Sequence, residues 1–141
     1  MGISIRAADG RGPSFDLTCS GFWRFRSKVA ELAGPAVHEP YQELPRVLNQ
    51  SAEDIERYDV ETERLVATRR VPAKLMDFLY KPDAGGHITA LGCKTVLKTI
   101  GDYEDSDRET FSYVAYRPVL FRDLKGLLQY CAENGVKLEW Y

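Results

Sequence analysis

Two residues of this sequence, Cys19 and His87, carry the side chains of a nucleophile and a general base. Cys19 precedes an apolar segment with helical spacing, so we expect it at a helix N-terminus, where the helix dipole and amide groups favour a thiolate. An imidazole within hydrogen-bond reach would accept the thiol proton, as in a cysteine hydrolase. No third polar residue is evident that would orient the imidazole. We therefore favour no catalytic residue, and Cys19 with His87 stays an alternative.

The stretch "GGHITALGCKT", residues 85–95, ends in Gly-x-Lys-Thr and suggests a phosphate-binding loop. Such a loop needs Gly-x-x-x-x-Gly-Lys-Ser/Thr after a strand, so that consecutive amides surround the phosphates. Here Cys93 separates Gly92 from Lys94, and the stretch follows a predicted helix. We expect a glycine turn between two helices, the second capped by Thr89 and exposing Lys94.

The same stretch also aligns with a calcium loop between helices. Gly86 takes the turn position, Ile88 takes the position that pairs neighbouring loops, and Asp83 takes a ligand position. Calcium needs about six or more oxygen ligands, but the first ligand position is Lys81 and the closing carboxylate position is Gly92. A degenerate EF-hand-like ligand sensor is therefore a second alternative, and we predict neither a metal nor a cofactor.

A surface that binds a partner protein is the favoured interpretation of the remaining polar and aromatic residues. The acidic segment "GDYEDSDRET", residues 101–110, lacks the glycine and glutamate of a calcium loop and predicts a solvated loop that attracts a basic partner. Trp23 and Tyr41 are predicted to be exposed aromatic residues of an interface. The candidate acidic binding residues are Asp102, Glu104, Asp105 and Asp107.

The two ends of the chain alternate apolar and polar residues, in "GISIRA" and in "GVKLEWY", which predicts two strands of one sheet. Helical spacing follows in "GFWRFRSKVAELAGP" up to Gly34-Pro35. Further helices are predicted from Pro72, from Thr89 to Gly101, and through Leu120, Leu124, Leu127, Leu128 and Cys131 to Asn134-Gly135. "FSYVAY" predicts a short strand. Residues 35–70 favour neither helix nor strand beyond a helix start at Ser51.

The composition limits the classes of protein that this chain can belong to. The chain has 141 residues, of which 44% are hydrophobic. This length and composition predict a single domain over residues 1–141. A net charge of -2 provides no basic surface for nucleic acid. No segment has the roughly 20 apolar residues that span a membrane, and no signal peptide is evident. The three scattered cysteines predict reduced thiols in a cytoplasmic protein.

Two resemblances add to these expectations. "FDLTCSGFWRF" resembles the nucleophile segment of NlpC/P60 cysteine peptidases, and "GGHITALG" resembles their histidine segment, which implies a hydrolase using Cys19 and His87. Thr18 stands where those peptidases have aspartate, and their histidine opens a strand, whereas helical spacing follows His87.

The chain as a whole resembles a loose group of small uncharacterised bacterial and phage proteins, some classed as immunity proteins of polymorphic toxin systems. The resemblance lies in "MGISI", "GFWRFRSKVAELAG", "KLMDFLYKPDAGGHITALGCKTVLKTIGDYED" and "FRDLKGLLQYCAENGVKLEWY". Asp83, Gly86, Ile88 and Cys93 match positions of the group. The resemblance implies a similar fold and identifies no catalytic residues.

The sequence thus predicts a helix-rich α+β domain with a small sheet that pairs the N- and C-terminal strands. The predicted function is non-enzymatic binding of another protein, as an immunity-like protein or a phage accessory inhibitor. The two alternatives are the cysteine hydrolase and the EF-hand-like sensor.

Overall fold

A computed structural model of the chain describes residues 2–47, 52–68, 71–81, 85–103 and 119–141. They form a helix-rich α+β fold with one antiparallel sheet, as predicted. The strands are β1 Gly2–Ala7, β2 Ser14–Thr18, β3 Gly86–Ile88 and β4 Leu138–Trp140. The helices are α1 Cys19–Ala33, α2 Pro35–Val47, α3 Ala52–Ala67, α4 Ala73–Tyr80, α5 Ala90–Ile100 and α6 Phe121–Asn134.

The sheet has the strand order β2-β1-β4-β3, so the N- and C-terminal strands are neighbours, as the alternating residues predicted. Ile5 lies opposite Trp140, and both side chains face a continuous core. The helices cover this inner face, whereas the intervening polar residues face outward. Period-two alternation with one buried face is what an antiparallel sheet of this kind requires.

The edge strand β3 corrects the prediction of a glycine turn between two helices at Gly86. Gly86 is buried and lies opposite Trp140, and an added Cβ atom would lie 2.4 Å from the indole ring. Only a residue without a side chain lets the indole lie across the strand. A three-residue strand is too short to show an alternating pattern, which is why the sequence did not indicate it.

The predicted helix ends are confirmed at α1 and α5. The Thr18 hydroxyl accepts a hydrogen bond from the Gly21 amide at 2.8 Å, and the Thr89 hydroxyl accepts one from Gly92 at 3.1 Å. These side chains satisfy amides that have no partner within the helix. At the C-terminal end of α1, Gly34 has a φ of 115°, which suits glycine.

Residues 35–70, which the sequence left undecided, contain the helices α2 and α3. Pro35 is the first residue of α2, where proline is tolerated because that amide needs no partner. Pro40 and Pro45 lie inside the same helix. Proline lacks an amide donor, so its helix propensity is low and the sequence did not predict α2. Packing against the rest of the protein stabilises this helix.

Aromatic rings from several elements form the centre of the core. Phe22 of α1 contacts Trp140 of β4 at 5.3 Å between centroids and Phe78 of α4 at 6.5 Å. Arg26 is 3% exposed, and its guanidinium carbon lies 4.2 Å from the Phe22 centroid and 5.1 Å from that of Trp140. Contact with the ring faces offsets part of the cost of burying this cation.

No helix in the described ranges is both long and apolar enough to cross a membrane. The predicted strand "FSYVAY", residues 111–116, lies outside the described residues, as does the predicted cap Ser51.

Candidate functional site

Cys19 and His87 lie on opposite edges of the sheet. Cys19 is the exposed first residue of α1 and follows edge strand β2, whereas His87 lies in edge strand β3. Three spacings between strands separate these edges, roughly 14 Å in total. Proton transfer from thiol to imidazole needs hydrogen-bond distance. His87 does lie in a strand, as in the NlpC/P60 peptidases, but the structure does not bring it to Cys19.

The register also separates the two residues along the strands. His87, Glu139, Arg6 and Ser14 form one row across the four strands, each opposite the next. Cys19 follows Ser14 by five positions along β2 and into α1, roughly 13 Å or more from this row. The cysteine hydrolase is therefore not assembled by these two residues.

Polar residues on the outer face of the sheet bind one another. The Arg6 guanidinium lies 2.9 Å from the Glu139 carboxylate and 5.0 Å from the centroid of the Tyr141 ring. The Ser4 hydroxyl donates a hydrogen bond to the Asp16 carboxylate at 2.8 Å. The outer face of the sheet, meaning these five residues, is thus a solvated surface with paired charges.

The Lys81 side chain contacts one position of the calcium-loop alignment. In the calcium-loop alignment, Lys81 takes the first position and the His87 carbonyl takes the seventh, a backbone ligand position. The Lys81 ammonium donates a hydrogen bond to that carbonyl at 2.8 Å. A side-chain cation thus contacts the oxygen that calcium would bind. Ile88 pairs with Leu138 of β4 rather than with a second calcium loop, and Asp83 lies outside the described residues.

Gly92 and Lys94 do not belong to a phosphate loop. Gly92 is buried inside α5, and its amide donates to the Thr89 hydroxyl. Lys94 is exposed on the same helix. This outcome matches the prediction of a capped helix with Lys94 on its surface.

Trp23 and Tyr41 are not the exposed pair that the sequence predicted. Tyr41 is 1% exposed, and Trp23 is half-buried and stacks on it with 5.8 Å between the centroids. Tyr41 in turn contacts Tyr80 of α4 edge-to-face at 5.6 Å. Burial among rings is the more favourable place for such large apolar surfaces. The two residues support Tyr80 from within the protein.

Of the predicted acidic binding residues, the structure describes Asp102, which is exposed immediately after α5. Glu104, Asp105 and Asp107 lie outside the described residues. Their role in binding stays a prediction.

The two remaining cysteines, Cys93 of α5 and Cys131 of α6, are buried in the core. The hydrogen bond between their thiols, together with burial, raises the pKa of Cys93 far above its ordinary value. Burial and the raised pKa both favour the thiol form of Cys93, which is a weaker nucleophile than the thiolate.

A groove between α3 and α4 is the surface feature that sequence analysis missed. The α3–α4 groove, of about 250 Å³, is lined by Asp59, Glu63, Val66, Met76, Asp77, Tyr80 and Lys81. Met76 is buried, Val66 and Tyr80 are half-buried, and the three carboxylates are exposed. The groove thus combines an apolar floor with an acidic rim.

One signal for this groove exists in the sequence. Asp59 and Glu63 are four residues apart, with Val66 three residues further, so a helix places all three on one face. This signal could be used only if residues 52–67 were known to be helical, and the sequence did not decide that. Asp77 and Tyr80 lie across the groove because of the way α3 and α4 pack, and no local sequence pattern encodes this packing.

Nowhere in the described ranges do three His, Cys, Asp or Glu side chains converge as a metal ion would require. No protein-family model, curated protein or solved structure matches the chain.

Proposed function

We propose that this chain is a non-enzymatic domain that binds another protein and acts by occluding part of its surface. In this proposal the chain acts as an immunity-like protein or a phage accessory inhibitor. The observation that carries the proposal is the exposed, strongly acidic helix α3.

Helix α3 carries an excess of negative charge. Residues 52–67 contain six carboxylates and two arginines, whereas the whole chain has a net charge of only -2. The side chains of Glu53, Glu56, Asp59 and Glu63 are exposed. A predominantly negative field on one element attracts and orients a positively charged partner.

Val60 lies exposed among these charges. It is 58% exposed in the middle of α3, where its apolar side chain has no role in the core of this chain. Protein interfaces combine apolar contacts with a surrounding polar rim. An exposed valine within an acidic surface therefore favours a protein partner that presents basic residues around an apolar contact.

Co-expression tests this function. The chain is expressed with the product of each adjacent gene from its native genome, and each mixture is analysed by size-exclusion chromatography with light scattering. We expect one product to form a stoichiometric complex whose affinity falls as salt concentration rises. The proposal fails if neither adjacent products nor repeated pull-downs from the native host yield a stoichiometric partner.

A matched pair of variants shows whether α3 is the contact surface. Val60→Ser removes the apolar side chain without changing the charge and should weaken the complex at least about tenfold, because it removes an apolar contact from the interface. Leu91→Ser changes a residue of α5 that is 59% exposed and should leave affinity within about twofold. Equal losses in both variants would contradict a contact through α3.

A further inference from the structure

The floor of the α3–α4 groove is built from side chains that the core holds in place. Tyr80 contacts Tyr41 edge-to-face at 5.6 Å, and Tyr41 stacks on Trp23 at 5.8 Å. Met76 is 8% exposed, so it belongs to the core as much as to the groove. Because these residues are already ordered, a side chain that enters would contact a preformed apolar surface.

The rim of the groove carries three carboxylates from two helices. Asp59 and Glu63 lie one turn apart on α3, and Asp77 lies on α4 across the groove. Like charges four residues apart in a helix repel each other. A cation placed between them would lower this repulsion, which favours a positively charged occupant.

Lys81, the cation among the groove residues, is directed elsewhere. Its ammonium donates a hydrogen bond to the His87 carbonyl at 2.8 Å, on the β3 side of α4. It is thereby tied to strand β3.

We propose that the α3–α4 groove receives a lysine or arginine side chain of a partner protein. The aliphatic stem packs on Val66, Met76 and Tyr80, and the charged head lies among the rim carboxylates. Long basic side chains bury their stems on apolar surfaces while their heads stay at a polar edge. This inference rests on the proposed function, since it names the chemistry by which the partner is recognised.

The size and charge of the groove favour a single basic side chain over other occupants. Its volume of about 250 Å³ is below the roughly 300–1,000 Å³ typical of small-molecule sites. Its carboxylates repel the phosphates of nucleic acid and of anionic lipids. A single basic side chain matches both the size and the charge.

The test is a titration of the ¹⁵N-labelled full chain with a blocked hexalysine peptide, followed by NMR. The control peptide is hexalysine acetylated on every side chain, which keeps the stems and removes the charges. We expect hexalysine to shift the amides of residues 59–66 and 76–81 and to bind less tightly as salt increases. The acetylated peptide should bind at least about tenfold more weakly.

Charge-reversal variants locate the site. Glu63→Lys should weaken hexalysine binding about tenfold, because it replaces an attraction by a repulsion. The matched control, Glu133→Lys, reverses an exposed carboxylate on α6 and should change affinity less than about twofold. Glu63→Gln, which keeps the size of the side chain, should give a loss of intermediate size. Circular dichroism confirms that each variant is folded.

Shifts centred elsewhere, or equal losses for Glu63→Lys and Glu133→Lys, would overturn the groove assignment. In either case a stoichiometric partner complex would leave the proposed function standing. Conversely, failure to find any partner would overturn the proposed function, whatever the peptide results. The two failures are therefore distinguishable.

Discussion

The outer face of the sheet and the α3–α4 groove are both polar surfaces, but their charges are arranged in opposite ways. On the sheet, Arg6 contacts Glu139 and Ser4 contacts Asp16, so polar groups are paired within the protein. In the groove, Asp59, Glu63 and Asp77 have the same sign. A surface with charges of both signs in contact offers little to a partner, whereas a surface with an excess of carboxylates attracts a positively charged group.

The two surfaces also differ in what lies beneath them. The sheet covers the core directly, and Trp140 lies against Gly86 on its inner side. The groove lies between two helices and depends on a chain of rings, Trp23 on Tyr41 and Tyr41 on Tyr80. Substitutions beneath each surface should therefore have larger effects on stability than substitutions on the surfaces themselves.

The largest effect is expected beneath the groove. Tyr41→Ala removes a ring that is 1% exposed and leaves a cavity between α1, α2 and α4. We expect the free energy of unfolding to fall by about 3–5 kcal/mol, as for other buried aromatic residues. Chemical denaturation measures this change.

The matched control for Tyr41→Ala is Tyr141→Ala, the same deletion at a residue of the outer face that is 52% exposed. It should cost less than about 1 kcal/mol. Similar losses for the two variants would show that the rings beneath the groove do not hold it in place.

The next effect is expected beneath the sheet. Gly86→Ala places a Cβ atom 2.4 Å from the Trp140 ring, so the indole or strand β3 must shift. We expect a loss of about 1–3 kcal/mol, as for other overpacked core positions. Thermal and chemical denaturation both measure it, and the near-ultraviolet circular dichroism of Trp140 should change.

Gly126→Ala is the matched control for Gly86→Ala. Gly126 lies in helix α6, and an added Cβ atom there has no neighbouring atom within 4 Å. This change should stabilise the protein by roughly 0.5–1 kcal/mol, because alanine favours a helix over glycine. If the Gly86→Ala protein were as stable as the unchanged protein, the close contact between Gly86 and Trp140 would be contradicted.

Some parts of the fold could be predicted from the sequence, and others depend on residues far apart in the chain. The terminal strands and the cap at Thr89 follow from signals within a few neighbouring residues. Gly86 was identified as a special position but assigned to a turn, because its reason for being glycine is Trp140, more than fifty positions away in the chain. Short edge strands depend on such distant partners.

The candidate site was less predictable than the fold. Tyr41 was predicted to be exposed, since an aromatic residue in the undecided segment 35–70 carries no signal of burial. Prolines inside α2 hid the helix that buries Tyr41. The α3–α4 groove requires both helices and their packing, so its acidic rim could not be assembled from local patterns.

A smaller effect is expected on the outer face of the sheet. Glu139→Gln removes the charge that Arg6 contacts at 2.9 Å. Because both side chains are partly exposed, we expect stability to fall by only roughly 0.2–1 kcal/mol, and by less at high salt. Denaturation at two ionic strengths measures it. A loss that does not depend on salt would show that Glu139 stabilises the protein by packing rather than by its contact with the Arg6 charge.

The smallest effect should have the opposite sign and lies on the rim of the groove. Glu63→Gln removes one of two carboxylates that stand four residues apart on α3, so it relieves a repulsion. We expect the free protein to gain roughly 0.2–0.5 kcal/mol at low salt, with the gain disappearing as salt screens the charges. The same variant should bind hexalysine more weakly. Stability and binding therefore change in opposite directions at Glu63, as is common where a site is kept for a partner. If Glu63→Gln instead destabilises the protein as Glu139→Gln does, the groove carboxylate is paired within the chain, and the contrast between the two surfaces is wrong.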